Sequence, residues 1–193
     1  MDFDQAISWY GLEDKLARTT DPRHRQMLQT VIDHARAESA GDVDGLMATL
    51  GDDPQYHFWN RGKDWGPKGL DGVRKYYEDF VASGAGFFES EKVRVVVDDD
   101  NVVTESVMRQ LVPGRIARQR GYDVPDIDGH YIVTARTAIF WPFDESCTLT
   151  AEDSYGSSDL SDITQVPDDE LPADYVAMLD AIGQPLRSAA PRS

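Results

Sequence analysis

Residues 30–60, TVIDHARAESAGDVDGLMATLGDDPQYHFWN, decide the fold. Met27, Leu28, Val31, Ile32 and Ala35 recur at helical spacing and draw one apolar stripe along a first long helix. Asp21 followed by Pro22 marks its start: an N-cap acceptor, then proline at the first helical position. Gly41 marks its end, and Asp42 can cap a short second helix whose apolar side is Val43, Leu46, Met47 and Leu50. A Gly-Asp-Asp-Pro turn leads into a strand over 55–60. Alternation puts Tyr56, Phe58 and Asn60 on one face and His57 and Trp59 on the other. His34 lies on the buried stripe, with Glu38 one turn beyond. A histidine and a carboxylate four apart on an inward face can hydrogen bond or share a ligand, and the simpler reading is a core histidine.

Working outward, the glycine-rich loop RGKDWGPKG precedes a third helix over 70–83, with Val73, Tyr76, Tyr77, Phe80 and Val81 at helical spacing. Strands are expected over 87–97 and 102–112, paired antiparallel across Asp98-Asp99-Asp100-Asn101, and a second hairpin over 131–143 and 147–155. Between them runs a long connection, 113–129, carrying Arg115, Arg118 and Arg120; these can clasp an acidic group or balance Asp123, Asp126 and Asp128. Residues 126–130, DIDGH, alternate metal-ligand types, but they also make an ordinary turn. Residues 1–20 predict a short helix, either a lid or a surface element. Residues 157–193 form an acidic tail with one helix over 173–182 and a disordered end.

The 193 residues suit one main domain with a real core. A formal net charge of -16 argues against nucleic acid and anionic membrane surfaces, which demand basic patches. The single cysteine, Cys147, excludes an intramolecular disulfide and a cysteine zinc cluster, and it reads as a buried small hydrophobe in a strand. No apolar run approaches the about 18 residues of a membrane-spanning helix, and the acidic N-terminus lacks a signal-peptide pattern; a cytoplasmic protein is expected. Dinucleotide, P-loop, zincin and nucleophile-elbow motifs are absent from the sequence.

The order of amphipathic helix, AGDVDGL, short helix, DDP, aromatic strand and GPKGLDGVRKYY resembles the nuclear transport factor 2-like superfamily. More narrowly it resembles the SnoaL-like polyketide cyclases and ketosteroid isomerases, over about residues 25–156. The resemblance implies an α+β, conical, cystatin-like roll: a curved, mostly antiparallel sheet packed on N-terminal helices around a pocket for a small apolar molecule. It also implies chemistry without a cofactor or metal, and homodimerisation through the open sheet face, where Trp59, Phe140 and Trp141 offer apolar contact. Three domain divisions follow: 1–20, an extension or lid; 21–156, the SnoaL-like domain; 157–193, the tail.

Carried onto this sequence, the isomerase oxyanion-binding tyrosine falls on His34, eight residues before Asp42, and the isomerase base falls on Phe58. Ser106 and Met108 stand where limonene epoxide hydrolases carry an arginine-x-aspartate pair, and their last-strand acid corresponds to Asp153. The expected machinery is therefore Asp153 as the acid–base group and His34 as polarising donor or second base, with Tyr56, Phe58, Asn60, Ser106, Met108 and Tyr155 around the substrate. Alternation that places Leu149, Ala151, Asp153 and Tyr155 inward is the more apolar choice, and the opposite register exchanges Asp153 for Glu152. The reaction expected is isomerisation, dehydration or cyclisation of a polyketide- or steroid-like molecule. The alternative is a non-catalytic binding or dimerisation module of the same fold.

Overall fold

The computed structural model describes residues 2–60, 62–157 and 159–186; at Asn60 only the backbone is described. The expected end of the tail, 187–193, lies outside the described residues. Helix α1 (Ile7–Arg18) precedes the long helix α2 (Pro22–Ala40). The Asp21 side chain accepts from His24 N, proline occupies the first turn, and Gly41 closes the helix in the left-handed region at φ 65°. Asp42 then caps α3 (Val43–Ala48) through Gly45 N. Strands β1 (His57–Asn60) and β2 (Lys63–Asp64) lead to α4 (Gly69–Ser83). The long strands β3 (Phe87–Val97) and β4 (Asn101–Pro113) follow, then α5 (Gly114–Gln119) and β5 (His130–Pro142). The chain continues through β6 (Asp153–Ser157), β7 (Ile163–Val166) and α6 (Ala173–Ala181).

The strands form one seven-stranded sheet in the order β2-β1-β6-β5-β4-β3, with β7 also pairing β5. All pairings are antiparallel except β1 with β6, which is parallel. The helices α1 to α4 close over one face, burying Leu12, Met27, Leu28, Val31, Ile32, Leu46 and Val73 against Trp141, Phe143 and Leu149. This is the expected α+β roll.

The second hairpin differs from expectation. Residues 147–152 are not a strand, and Cys147, though buried, adopts φ 63° in a bend. The Asp144 carboxylate organises that bend, accepting from Ser146 N at 2.9 Å, Thr148 N at 2.9 Å and Thr148 Oγ1 at 2.6 Å. Beyond it Thr150 N still donates to Pro142 O at the end of β5, while most of the backbone bonds to the segment after α3. Gly51 N donates to Leu149 O, Gln55 N to Thr150 O and His57 N to Glu152 O. Regular pairing with β5 resumes only at Asp153. The guanidinium of Arg23, on the first turn of α2, braces the same region by donating to the carbonyls of Asp99, Asp144 and Glu145 at 2.7–3.1 Å.

Candidate active site

Strand register decides which side chains meet beneath the helices. On β3, Phe88 and Ser90 face inward, opposite Gln110 and Met108 of β4. On β5, Thr137, Ile139 and Trp141 share that face. The parallel pairing sets Phe58 beside Ser154, so Ser154 and, two residues earlier, Glu152 point the same way as Phe58. With Val31, Ala35 and Glu38 of α2, Tyr76 and Phe80 of α4 and Ser8 and Leu12 of α1, these residues enclose a chamber of about 410 Å³. That size and apolar lining match small-molecule sites, which span roughly 300–1,000 Å³.

Two carboxyls and an amine, Glu38, Glu152 and Lys92, enter this largely apolar space, beside the Tyr76 hydroxyl and the Arg120 guanidinium. Burial pushes the Glu38 carboxyl up to about 7, against the pull of the Lys92 ammonium. Burial, reinforced by repulsion from Glu38, raises Glu152 well above the ordinary carboxylate range. Burial also brings the Lys92 amine down to about 8. Desolvation penalises each charged form in turn, and the two carboxyls, unable to ionise together cheaply, separate into an easily ionised and a reluctant group.

A hydrogen-bonded chain backs Glu152. His34 Nδ1 lies 2.8 Å from Thr49 Oγ1, and His34 Nε2 lies 3.0 Å from the Tyr77 hydroxyl. Thr49 Oγ1 donates its own proton to Leu46 O at 2.7 Å, so it accepts from His34, which assigns the proton to Nδ1. The Tyr77 hydroxyl then donates to Nε2, and its oxygen is left as the acceptor for the Tyr56 hydroxyl at 3.2 Å. Glu152 Oε2 lies 3.5 Å from the Tyr77 hydroxyl and is the alternative acceptor for its proton, which leaves the O–H of a neutral Glu152 free for the chamber. Burial holds the imidazole down to about 3, so His34 stays neutral.

The sequence-predicted residues divide between three environments. Phe58 and Met108 line the chamber. His34 and Tyr56 do not: both are fully buried behind it, and His34 bonds Thr49 and Tyr77 rather than Glu38. Ser106 is buried on the inward side of β4, and its Oγ has no hydrogen-bond partner among the described residues. Asn60 belongs to β1, and its side chain is outside the described residues.

Asp153 and Tyr155 face the opposite side of the sheet, which corrects the expectation that they point inward. Because 147–152 is irregular, the parity read from Leu149 and Ala151 does not extend into β6. Asp153 is instead paired with His57 and Phe140, while Tyr155 packs edge-on against the exposed Phe140. Trp141, expected on the outer face, is in the chamber wall and donates Nε1–H to Thr104 Oγ1. On the outer side, His57 Nδ1 and Lys68 Nζ meet Asp64 Oδ2 at 2.7 and 2.9 Å.

The arginines of the long connection bond carbonyls and amides rather than the nearby aspartates. Arg118 donates to Val124 O, Arg115 to Ser83 O and to Gln184, and Arg120 to Gln110 Oε1. Arg120 stands, with Met108 and Gln110, where the chamber meets a wider outer hollow lined by Lys63, Trp65 and Tyr122. His130 bonds the Tyr175 hydroxyl at 2.9 Å. Among the described residues no three His, Cys, Asp or Glu side chains are grouped as a metal site, and no helix is long and apolar enough to cross a membrane.

Sequence reasoning missed Lys92 and treated Tyr77 only as core. The available signals were a lysine in phase with Phe88 and Ser90, and a tyrosine hydroxyl on a fully buried helical stripe, which needs a partner.

Known proteins add the following. A family model described as SnoaL-like domain matches residues 31–135. No curated protein matches the chain. Among solved structures, a putative SnoaL-like polyketide cyclase from Shewanella putrefaciens CN-32 aligns with TM-score 0.58 at 12% identity, covering 75% of this chain and 86% of that one. An LEH-like epoxide hydrolase from M. tuberculosis aligns with TM-score 0.53 at 19% identity, covering 73% and 88%. RV0760c from Mycobacterium tuberculosis, in complex with estradiol-17beta-hemisuccinate, aligns with TM-score 0.50 at 16% identity, covering 72% and 98%. At such identities the likeness is one of fold. A family model that spans more than half of the sequence, over a roll of this architecture, places the chain in the SnoaL-like family of the nuclear transport factor 2-like superfamily.

Proposed function

We propose that the protein is a cofactor-independent enzyme that moves a proton on a small, largely apolar carbonyl compound held in the chamber. The observation that carries this reading is the pair Glu38 and Glu152, two carboxyls in one apolar cavity with their proton affinities pushed apart. Glu38, up at about 7, serves as the base that removes a proton next to the carbonyl. Glu152, kept neutral by burial, donates a hydrogen bond to the oxygen on which negative charge develops. Tyr77 and neutral His34 fix the Glu152 carboxyl from behind and act as positioning residues. The same pair serves an isomerisation, or a dehydration in which Glu152 protonates the departing hydroxyl.

Steroid-like and polycyclic aromatic ketones are the first compounds to test, since one structural neighbour is in complex with a steroid hemisuccinate. The experiment is turnover and binding of such a panel by wild type, Glu38→Gln and Glu152→Gln. Loss of about a hundredfold or more in turnover with binding retained supports the assignment. Binding with no turnover by wild type favours the non-catalytic module, a reading supported by Phe58, Ser106 and Met108 standing in place of the family's base and arginine-x-aspartate pair. We also propose homodimerisation through the outer sheet face, where Phe140 and Tyr155 are 42% and 46% exposed and in mutual contact. Light scattering on wild type and Phe140→Asp tests it: a dimer that becomes a monomer is the supporting result.

A further inference from the structure

Lys92 is held in the chamber by three features of the fold. The first is a β-bulge. Phe88 and Ser90 face inward before it, and Val95 and Val97 pack on the core after it, which simple alternation cannot achieve. The register slip between Lys92 and Arg94 adds Val93 as an exposed extra residue and reverses the parity, so that the lysine and both valines point inward. The second is the close approach of α1. A Cβ on Gly11 would sit 2.7 Å from the Lys92 Cβ, so only glycine lets the helix press over this side chain. The third is the polar neighbourhood. Lys92 Nζ donates to Ser90 O and Ser90 Oγ, both at 3.0 Å and both neutral, and among the described residues it forms no ion pair. Its register partner on β4 is Ser106, whose buried hydroxyl has no hydrogen-bond partner among the described residues. Of the five lysines in the sequence, Lys92 is the one that lines the chamber.

We propose that Lys92 is the amine of a covalent site, condensing with an aldehyde or ketone group of the chamber's ligand to form an imine. The neutral amine adds to the carbonyl carbon, forming the C–N bond and moving one amine proton to the oxygen, which gives a carbinolamine. A carboxylic acid in the same chamber, Glu38 or Glu152, protonates the hydroxyl. Water leaves as the nitrogen lone pair forms the C=N bond, giving the protonated imine and a carboxylate. Burial brings the amine down to about 8, so a usable neutral fraction exists near neutrality. The imine withdraws electrons from the adjacent carbon more strongly than the parent carbonyl does, and so eases the proton removal assigned to Glu38. This use of Lys92 needs the chamber but not the acid–base reaction.

The test is reductive trapping on the full chain. Wild type is incubated with 2-naphthaldehyde and sodium cyanoborohydride, which reduces the protonated imine in preference to the aldehyde, at pH 7–8, followed by intact mass and peptide mapping. The expected result is one adduct, on Lys92, formed at least about tenfold faster than adducts on the surface lysines Lys15 and Lys75, and absent in Lys92→Arg and Lys92→Met. Adducts on the other lysines with Lys92 unmodified overturn the proposal. The wild-type map decides the matter even if both variants fail to fold. Trapping is repeated on Glu152→Gln: an adduct there supports the covalent site whatever becomes of turnover. Conversely, loss of turnover in Glu152→Gln alongside an unlabelled Lys92 in wild type leaves the acid–base reading standing without the amine.

Discussion

Replacing Glu38 by glutamine should flatten the pH dependence of stability in a defined window. The Glu38 carboxyl is raised from its ordinary 4.5 to about 7 by burial in the chamber wall. Between those values the unfolded chain has already released the proton while the folded chain retains it. The unfolded state therefore binds fewer protons, and stability falls as pH rises through the window. At about 1.36 kcal/mol per unit, the fall attributable to Glu38 is about 3 kcal/mol, fully developed above pH 7. Lys92 adds a mirror-image effect. Its amine is lowered to about 8, so above that value the folded state sheds its proton first and stability recovers. The assay is urea unfolding followed by tryptophan fluorescence at half-unit steps from pH 4 to 10, for wild type and Glu38→Gln. Wild-type stability should drop relative to the variant between pH 4.5 and 7. Carboxylates held low elsewhere, such as Asp144 near 2 through its bonds to Ser146 and Thr148, cancel in the comparison. A wild-type-minus-variant difference that stays constant across this window would refute the claim that the chamber wall desolvates Glu38.

Other expectations are more local. Tyr77→Phe removes the hydroxyl shared by His34, Tyr56 and Glu152 and leaves buried polar atoms unpaired; a loss of about 1–3 kcal/mol by chemical denaturation is expected, and a neutral result would break the proposed proton chain. Ser106→Ala deletes a buried hydroxyl without a partner and should be neutral or stabilising by up to about 1 kcal/mol; a clear loss of melting temperature would show that the hydroxyl is satisfied. Gly11→Val drives a side chain into Lys92 and should push α1 off the sheet, costing about 1–3 kcal/mol and speeding proteolysis before Pro22; wild-type protease resistance would contradict that close approach.

Much of the roll was legible because its signals are local. The apolar stripe of α2, the Asp21 and Asp42 caps and the glycine at 41 depend on residues within a turn or two of each other, and all appear as read. The β3 and β4 hairpin likewise follows from two apolar runs around an acidic turn. The site was less legible because its parity is set over long range. Whether Glu152 or Asp153 faces the chamber depends on where β6 begins, and that is fixed by the Asp144 bend and by bonds to residues 51–57, neither visible in the alternation of residues 149–155. Lys92 was hidden by the bulge after it, since a strict period-two reading cannot keep a lysine and Val95 on one face. His34 was placed on the correct helix face, but the face alone does not say that Thr49 and Tyr77 claim both ring nitrogens.

The parallel pairing of β1 with β6 bears on how the protein is made. Nearly every other sheet contact joins strands that neighbour one another in the chain, and such hairpins can close as soon as both halves exist. His57 must wait for Asp153. During synthesis the helices and the first strands leave the ribosome with an open wall, and the apolar lining, Phe58 included, stays wetted until the sixth strand emerges. Acquisition of the pocket is thus a late event in biogenesis, and a nascent chain truncated before Asp153 should expose Phe58 to chaperones.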